Sequence, residues 1–323
     1  MPERDFLHKD AETKLSGHYI AAGAVCRLLT NSEHVLKAAS DAFLPIESPV
    51  GSVDFSMRFW VDSASAIQDQ RPKPYLRGLD NLVFIGIDAQ SSILANLRTR
   101  HVIGRFSIAV ANDTAYWRTV IFPMLLSVLA GSVGVVELHA ACVARNELGL
   151  ILVGPTRSGK STLARTLTDA GFGLLSDDRT FCSVNHGKLL AWGLPRPLKL
   201  RREAASWFQE LHDREPPDFQ NGERVFHVEP RMPRVRNCEP RLLVYLERQQ
   251  DDGFDLKPIE GSQVRSCIEK DLLAEAPEAI RKQSKALDEL LSLPCCLLRY
   301  GGRPQVIAEQ LADFFLNLSE CRL

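Results

Sequence analysis

The chain has little of several things that would fix its class. Its 323 residues carry 39 Lys and Arg against 40 Asp and Glu, so no surplus of one sign invites nucleic acid or an anionic membrane surface. The eight cysteines include no C-x-x-C pair, and the adjacent Cys295 and Cys296 sit in the apolar run LPCCLL, where thiols act as small hydrophobes. That spacing argues against a cysteine-built metal or redox centre, and a reducing cytoplasm is the simplest setting. The opening MPERDFLHKDAETK lacks the apolar core of a signal peptide, so secretion is not expected. The longest apolar run, Ile121 to Val136, has 16 residues interrupted by Pro123 and small residues, short of a membrane span. It reads as a buried helix leading into a strand, with Asp113 or Thr114 as cap. Internal repeats and low-complexity segments are missing as well.

What is present is an ordinary globular composition, 45% hydrophobic and 24% charged, with length for two domains or one large domain with an appendage. Residues 1–112 read as an N-terminal α+β domain with no functional motif. In it FSMRFWVD (from Phe55) and RFSIAVAND (from Arg105) have strand character, and QSSILANLRTR (from Gln90) has helical character. Residues 113–323 alternate apolar strands with helical patterns, which predicts an α/β layer structure. There LHAACVAR and LGLILVG flank Asn146-Glu147 and predict a hairpin. GFGLLSDDRTFCSV reads as a strand with an acidic pair at its end. RLLVYLER and CCLLRY read as strands, and 274–293 and 305–318 as helices. The stretch 215–240, rich in Pro and Arg, predicts a long loop over a site. Its basic run RMPRVR and the earlier PRPLKLRR (195–202) are candidates to hold phosphates or an acidic substrate, or are solvated surface charge.

The most informative stretch is GPTRSGKST: Gly154, Pro155, Thr156, Arg157, Ser158, Gly159, Lys160, Ser161 and Thr162. It fits G-x-x-x-x-G-K-[ST], in which glycines let backbone N–H groups turn onto phosphate oxygens, the lysine adds charge and the hydroxyl can ligate magnesium. A random chain of this length yields the pattern on the order of one time in a hundred. Apolar Leu150 to Val153 precedes it, and Leu163, Thr166 and Leu167 follow at helical spacing, so strand, loop and helix come in order. That order aims a helix N-terminus at an anion. The bland alternative is an idle Gly/Ser turn.

Phosphoryl transfer also needs a metal-holding carboxylate and a group to orient the nucleophile. Asp177 and Asp178 follow Lys160 by 17 and 18 residues, one helix plus one strand, enough for the chain to return beside the loop. One of them can ligate magnesium while the other takes a proton from an incoming hydroxyl. His139, at the start of the hairpin before the loop, is the third candidate.

Taken together, His139, GPTRSGKS and LLSDD resemble the catalytic domain of the HPr kinase/phosphorylase family and its wider relatives, over about residues 138–184. The resemblance implies a P-loop sheet related to phosphoenolpyruvate carboxykinase with helices packed on it. It also implies ATP and Mg2+ as cofactors and transfer of phosphate to a serine of a protein or peptide acceptor. By the same resemblance Lys160 and the loop amides hold the β- and γ-phosphates, Ser161 and Asp178 hold magnesium, Asp177 is the base and His139 assists, with the two aspartate roles exchangeable. The P-G-R-N-type loop of the bifunctional enzymes is not found, so phosphorolysis is not implied, and the N-terminal third does not look like their regulatory domain. The chain looks like a divergent relative, of the kind associated in some bacteria with phosphorylation of ribosomally made peptides such as lasso precursors. A small-molecule kinase and a non-transferring nucleotide-binding regulator stay open, as do acceptor, nucleotide base and oligomeric state, a homo-oligomer included.

Overall fold

In the stretch Phe55–Asp62, Phe55, Met57 and Phe59 are buried at alternate positions, the pattern of a strand with a packed face. The computed structural model describes residues 13–49, 51–62, 73–212, 214–220, 223–230, 232–270 and 277–320. It divides into two compact units, Met1–Val135 with Leu273–Gln283, and Val136–Leu272 with Ser284–Leu323.

The first unit contains β1 (Leu15–Ala21), β2 (Ala24–Thr30), α1 (Glu33–Ala42), β3 (Leu44–Ile46), β4 (Phe55–Asp62), β5 (Tyr75–Leu79), β6 (Leu82–Gly86), β7 (Ser92–Asn96) and β8 (His101–Ser107). These strands form one eight-stranded sheet in the order β3-β1-β2-β4-β8-β7-β6-β5. After α2 (Ile108–Asn112) and α3 (Thr114–Tyr116), a π-helical turn at Trp117–Ile121 leads into α4 (Phe122–Ala130). Asp113 caps this run by accepting the Tyr116 N–H at 2.9 Å, as its sequence position implies. Trp117 packs against Phe59, Phe106 and Phe122, with ring centroids 4.6 to 5.5 Å apart, and centres the aromatic core. The helical run Thr114–Val133 is longer than the apolar stretch suggests. Among the described residues it is long and apolar enough to cross a bilayer, yet 61% of its most apolar window is buried within the fold.

Three features of this unit differ from the sequence reading. QSSILANLRTR holds a strand, β7, not a helix: Ile93 and Ala95 are buried at alternate positions and pair with β6 and β8, so tertiary pairing overrides a local pattern that suits either period. RFSIAVAND starts as strand β8 and turns into α2 where Ser107 caps the Val110 N–H. Residues 113–135, assigned by sequence to the second part, belong to the first unit.

The second unit opens with β9 (Val136–Leu138), β10 (Ala141–Arg145), β11 (Leu148–Val153), α5 (Lys160–Asp169), β12 (Gly173–Ser176), β13 (Thr180–Asn185), β14 (Lys188–Trp192), β15 (Leu198–Arg201) and α6 (Arg202–Ala205). It continues with β16 (Asp218–Gln220), β17 (Glu223–Val228), β18 (Asn237–Arg248), β19 (Gly253–Ile259), α7 (Gly261–Glu269), the part of α8 (Pro277–Leu291) from Ser284 on, β20 (Cys295–Gly301) and α9 (Pro304–Glu320). The expected hairpin is β10–β11, with Asn146 and Glu147 both at positive φ, the conformation a two-residue hairpin turn requires. The stretch read as one long loop over 215–240 instead carries β16 and β17; β17 pairs with β16 on one side and β15 on the other in a small sheet, with Val225 and Phe226 buried.

The main sheet of this unit has nine strands, with β11, β18 and β20 parallel at its centre. Side-chain parity along β11 builds two cores. Leu150 and Leu152 face α5 and α9, whereas Ile151 and Val153 join the cluster that contains Val264 of α7 and Leu287 of α8. Helices therefore cover both faces, and β11 is buried on both sides, as its unbroken apolar run requires. The protein is mixed α/β with several sheets.

Candidate functional site

GPTRSGKST connects the C-terminal end of β11 to α5, in the expected strand, loop and helix order. Gly154 and Gly159 have φ of 149° and 90°, values that L side chains rarely adopt. A Cβ on Gly159 would lie 2.0 Å from Tyr300 Oη, and one on Gly154 would lie 2.9 Å from the Leu246 carbonyl. Both glycines are thus demanded by backbone angle and by close approach. Lys160 begins the helix and is 7% exposed. Its Nζ donates to the Gly154 carbonyl at 2.8 Å and the Pro155 carbonyl at 3.3 Å, so the ammonium is held over the loop by the loop's own oxygens. Pro155, Thr156 and Arg157 at the tip are exposed. Ser158 Oγ is buried with no hydrogen-bond partner, while Ser158 O accepts from Tyr300 Oη at 2.5 Å. Tyr300, on β20, was not among the sequence candidates; it meets the loop across 142 residues of chain, which no local signal reveals.

The acidic pair occupies the three-residue link between β12 and β13. This link is pinned at its ends: Ser176 Oγ and Thr180 Oγ1 are 2.6 Å apart, and Thr180 Oγ1 donates to the Ala140 carbonyl at 3.0 Å. His139 lies in the matching link between β9 and β10, just ahead of the hairpin strand. Since β9 pairs with β13 and β10 with β12, the two links are brought opposite each other. His139 Nε2 then lies 3.2 Å from Asp178 Oδ1, both side chains about half-exposed. Arg179, the third residue of the acidic link, donates to Glu137 Oε1 at 2.9 Å across the same junction.

The two adjacent carboxylates have opposite electrostatics. Asp177 is 8% exposed; Oδ2 accepts the Lys199 backbone N–H at 2.7 Å and Oδ1 has no hydrogen-bond partner. Burial pushes its pKa up to about 6 against the opposing pull of the Lys199 amide and the Ser161 hydroxyl beside it. Asp178 is held well below the usual carboxylate range by its hydrogen bond to His139, with Lys199 and Arg179 adding to the effect. One carboxylate is therefore poised to take up a proton near neutrality and its neighbour stays ionised.

The sequence candidates thus come together as two groups. Gly154 to Thr162 form the loop and the first turn of α5. Asp177, Asp178 and His139 form the junction of the two links, and Ser161 stands next to Asp177. From the basic run PRPLKLRR, Arg196 and Lys199 line a small pocket with Asp177, Asp178 and Arg179. In the other run Arg234 is paired with Glu229 at 2.7 Å; Arg231 lies outside the described residues.

No family model matches the chain, and no curated protein does. Among solved structures it is similar to one described as the Hpr(Ser) kinase/phosphatase from Coxiella burnetii, at 15% identity, covering 58% of this chain and 94% of that one, with a TM-score of 0.31.

Whether the residues fit a nucleotide and its metal rests on the site's own donors. The positive-φ glycines, the helix N-terminus and a lysine held by carbonyls that phosphate oxygens can replace suit a polyphosphate. Among the described residues no cluster of three His, Cys, Asp or Glu could hold a metal ion. Magnesium asks less, one or two carboxylates completed by phosphate oxygens and water. The ionised Asp178, with the Ser161 hydroxyl near the acidic link, meets that requirement.

Proposed function

We propose that the chain is a magnesium-dependent kinase that transfers the γ-phosphoryl group of ATP to a serine hydroxyl of a protein or peptide acceptor. The observation that carries this reading is the junction itself: a phosphate loop, an ionised carboxylate and a carboxylate poised near neutrality stand together at one end of one sheet. Lys160 and the amides at the start of α5 bind the β- and γ-phosphates. Ser161 and Asp178 would hold magnesium, which would supply neutralisation of charge on the transferring group. Asp177 accepts the proton of the serine hydroxyl, for which a pKa near the working pH is the favourable value. His139 orients Asp178 through the 3.2 Å contact. The free thiols of the described cysteines suit a reducing cytoplasm, where ATP is abundant.

The test is to incubate the protein with ATP, magnesium and a library of serine peptides, and to follow ADP release and phosphoserine by mass spectrometry. Acceptor-dependent ADP release with matching phosphoserine supports the reading. No MgATP binding by calorimetry, or ADP release indifferent to every hydroxyl acceptor, overturns it.

A further inference from the structure

Most buried or half-buried arginines of the second unit have carboxylate partners. Arg165 is paired with Asp169 and Glu210, Arg179 with Glu137, and Arg234 with Glu229. Arg196 and Lys199 differ. They are half-buried, and among the described residues neither side chain makes a hydrogen bond or an ion pair within 4 Å. Both project charge into the small pocket beside the acidic pair. Burial depresses the pKa of each, with Arg179 adding to the effect at Arg196, and Arg196 and Arg179 at Lys199, so the cations are held there at a cost. The carboxylates facing them are Asp177 and Asp178; in the kinase reading Asp177 turns to the incoming hydroxyl and Asp178 to the metal, which leaves the two cations free to take a further anion.

The place of this pocket decides what it serves. None of the loop residues 154–162 lines it, so it is not where the nucleotide phosphates rest. Asp177, with its buried unpartnered Oδ1, does line it, so this is where an incoming hydroxyl meets the base. An anion in this pocket is therefore carried by the acceptor, within a residue or so of the reacting hydroxyl.

We propose that Arg196 and Lys199 bind a carboxylate side chain next to the acceptor serine, so that the preferred acceptor is an acidic serine peptide. The inference rests on the kinase reading and names its substrate class. Lys199 has a second part in the arrangement: its backbone N–H holds Asp177 at 2.7 Å, which ties the position of the base to that of the cation.

The test compares two peptides that differ only in Asp or Asn beside the serine. Wild type should favour the Asp peptide by about tenfold or more in kcat/KM, as expected for a desolvated charge pair. Arg196→Gln and Lys199→Gln should each erode that ratio and together bring it to about one, with MgATP affinity and the thermal midpoint retained. Charge reversal, Arg196→Glu with Lys199→Glu, should turn the preference toward a Lys-flanked serine, which a merely structural role would not do. Equal use of Asp and Asn peptides by wild type overturns the proposal, and so does an equal loss on both peptides in the variants. If no serine peptide is phosphorylated, the transfer reading fails on its own. The pocket is then judged by fluorescence anisotropy with labelled peptides carrying Ala in place of Ser. Tighter binding of the Asp form that vanishes in the double Gln variant supports the inference, and equal binding sinks it.

Discussion

The loop at 154–159 and the link at 177–179 both stand at strand ends of one sheet and are held by different means. The loop takes its shape from its own backbone: two positive-φ glycines, a lysine folded onto loop carbonyls, and a helix that starts at once. The link takes its shape from elsewhere, from His139 in the facing link, Glu137 on β9, Ser161 on α5 and the Lys199 amide on β15. A local motif tolerates change in its surroundings and fails when its own residues change. A site assembled from distant partners can be retuned from several positions.

The largest effect expected from breaking this contrast is at Lys160. Lys160→Ala removes the one ammonium over the loop, so MgATP affinity or transfer should fall by about 10²–10³, with the thermal midpoint little moved. Calorimetric binding unchanged beside intact transfer would reduce the loop to an ordinary turn.

Next come the aspartates. Asp177→Asn keeps shape and hydrogen-bonding reach but has no basicity, so transfer should drop by about 10²–10⁴ while MgATP stays bound. Asp178→Asn should instead weaken binding only when magnesium is present. Nucleotide affinity with and without magnesium, beside transfer assays, separates the two; the opposite pattern would exchange the roles, and full activity in both variants would remove the acidic pair from the chemistry.

A smaller effect qualifies the contrast at the loop's tether to β20, the hydrogen bond from Tyr300 to Ser158. Gly159→Ala faces both a φ of 90° and the Tyr300 hydroxyl. Losing the Tyr300 hydrogen bond costs about 1 kcal/mol, so Tyr300→Phe alone should weaken MgATP binding several-fold. In the Tyr300→Phe background Gly159→Ala should cost less than in wild type, because the clashing oxygen is gone and the angular strain alone remains. Strict additivity of the two substitutions would show that the contact does not matter.

The smallest effect concerns pH. The Asp177 pKa is raised in the folded state, from 3.8 to about 6, so burial of this carboxyl costs nothing below the unfolded value and opposes folding increasingly as pH rises through about 6. Asp177→Asn should thus match wild type near pH 4 and exceed it by up to about 3 kcal/mol at pH 8, by the conversion of pKa shift to free energy. Transfer by wild type should rise through the same window as the base loses its proton. A stability difference flat from pH 4 to 8 would mean that Asp177 is not desolvated.

The same contrast explains what was readable from sequence. The strand, glycine loop and helix over 148–169, the Asn146-Glu147 hairpin, the Asp113 cap and the helix over 305–318 are set by neighbouring residues, and the structure has them where the sequence implies. The link was readable only as composition: LLSDD announces two carboxylates, and nothing local tells that one is buried beside Ser161 and the other held by His139. Tyr300 lies in a stretch recognised only as a strand, and Arg196 and Lys199 in a run whose charges read equally well as surface. Gln90–Arg100 failed for a different reason, since Ile93 and Leu97, four residues apart, suit either period and strand pairing chose between them. The hairpin of β16 and β17 was hidden by its polar residues, which in a small outer sheet look like loop.

The hydrogen bond from Tyr300 to Ser158 also sets an order of events. The strand that carries Tyr300 leaves the ribosome long after the loop it fastens, and its parallel pairing with β18 is a non-local contact of the kind that forms slowly. During synthesis the loop is already written but has no latch, and nucleotide meets a cradle without its final support. In the kinase reading full nucleotide affinity is in this sense a late gain in the life of the chain, completed when β20 has docked on β18.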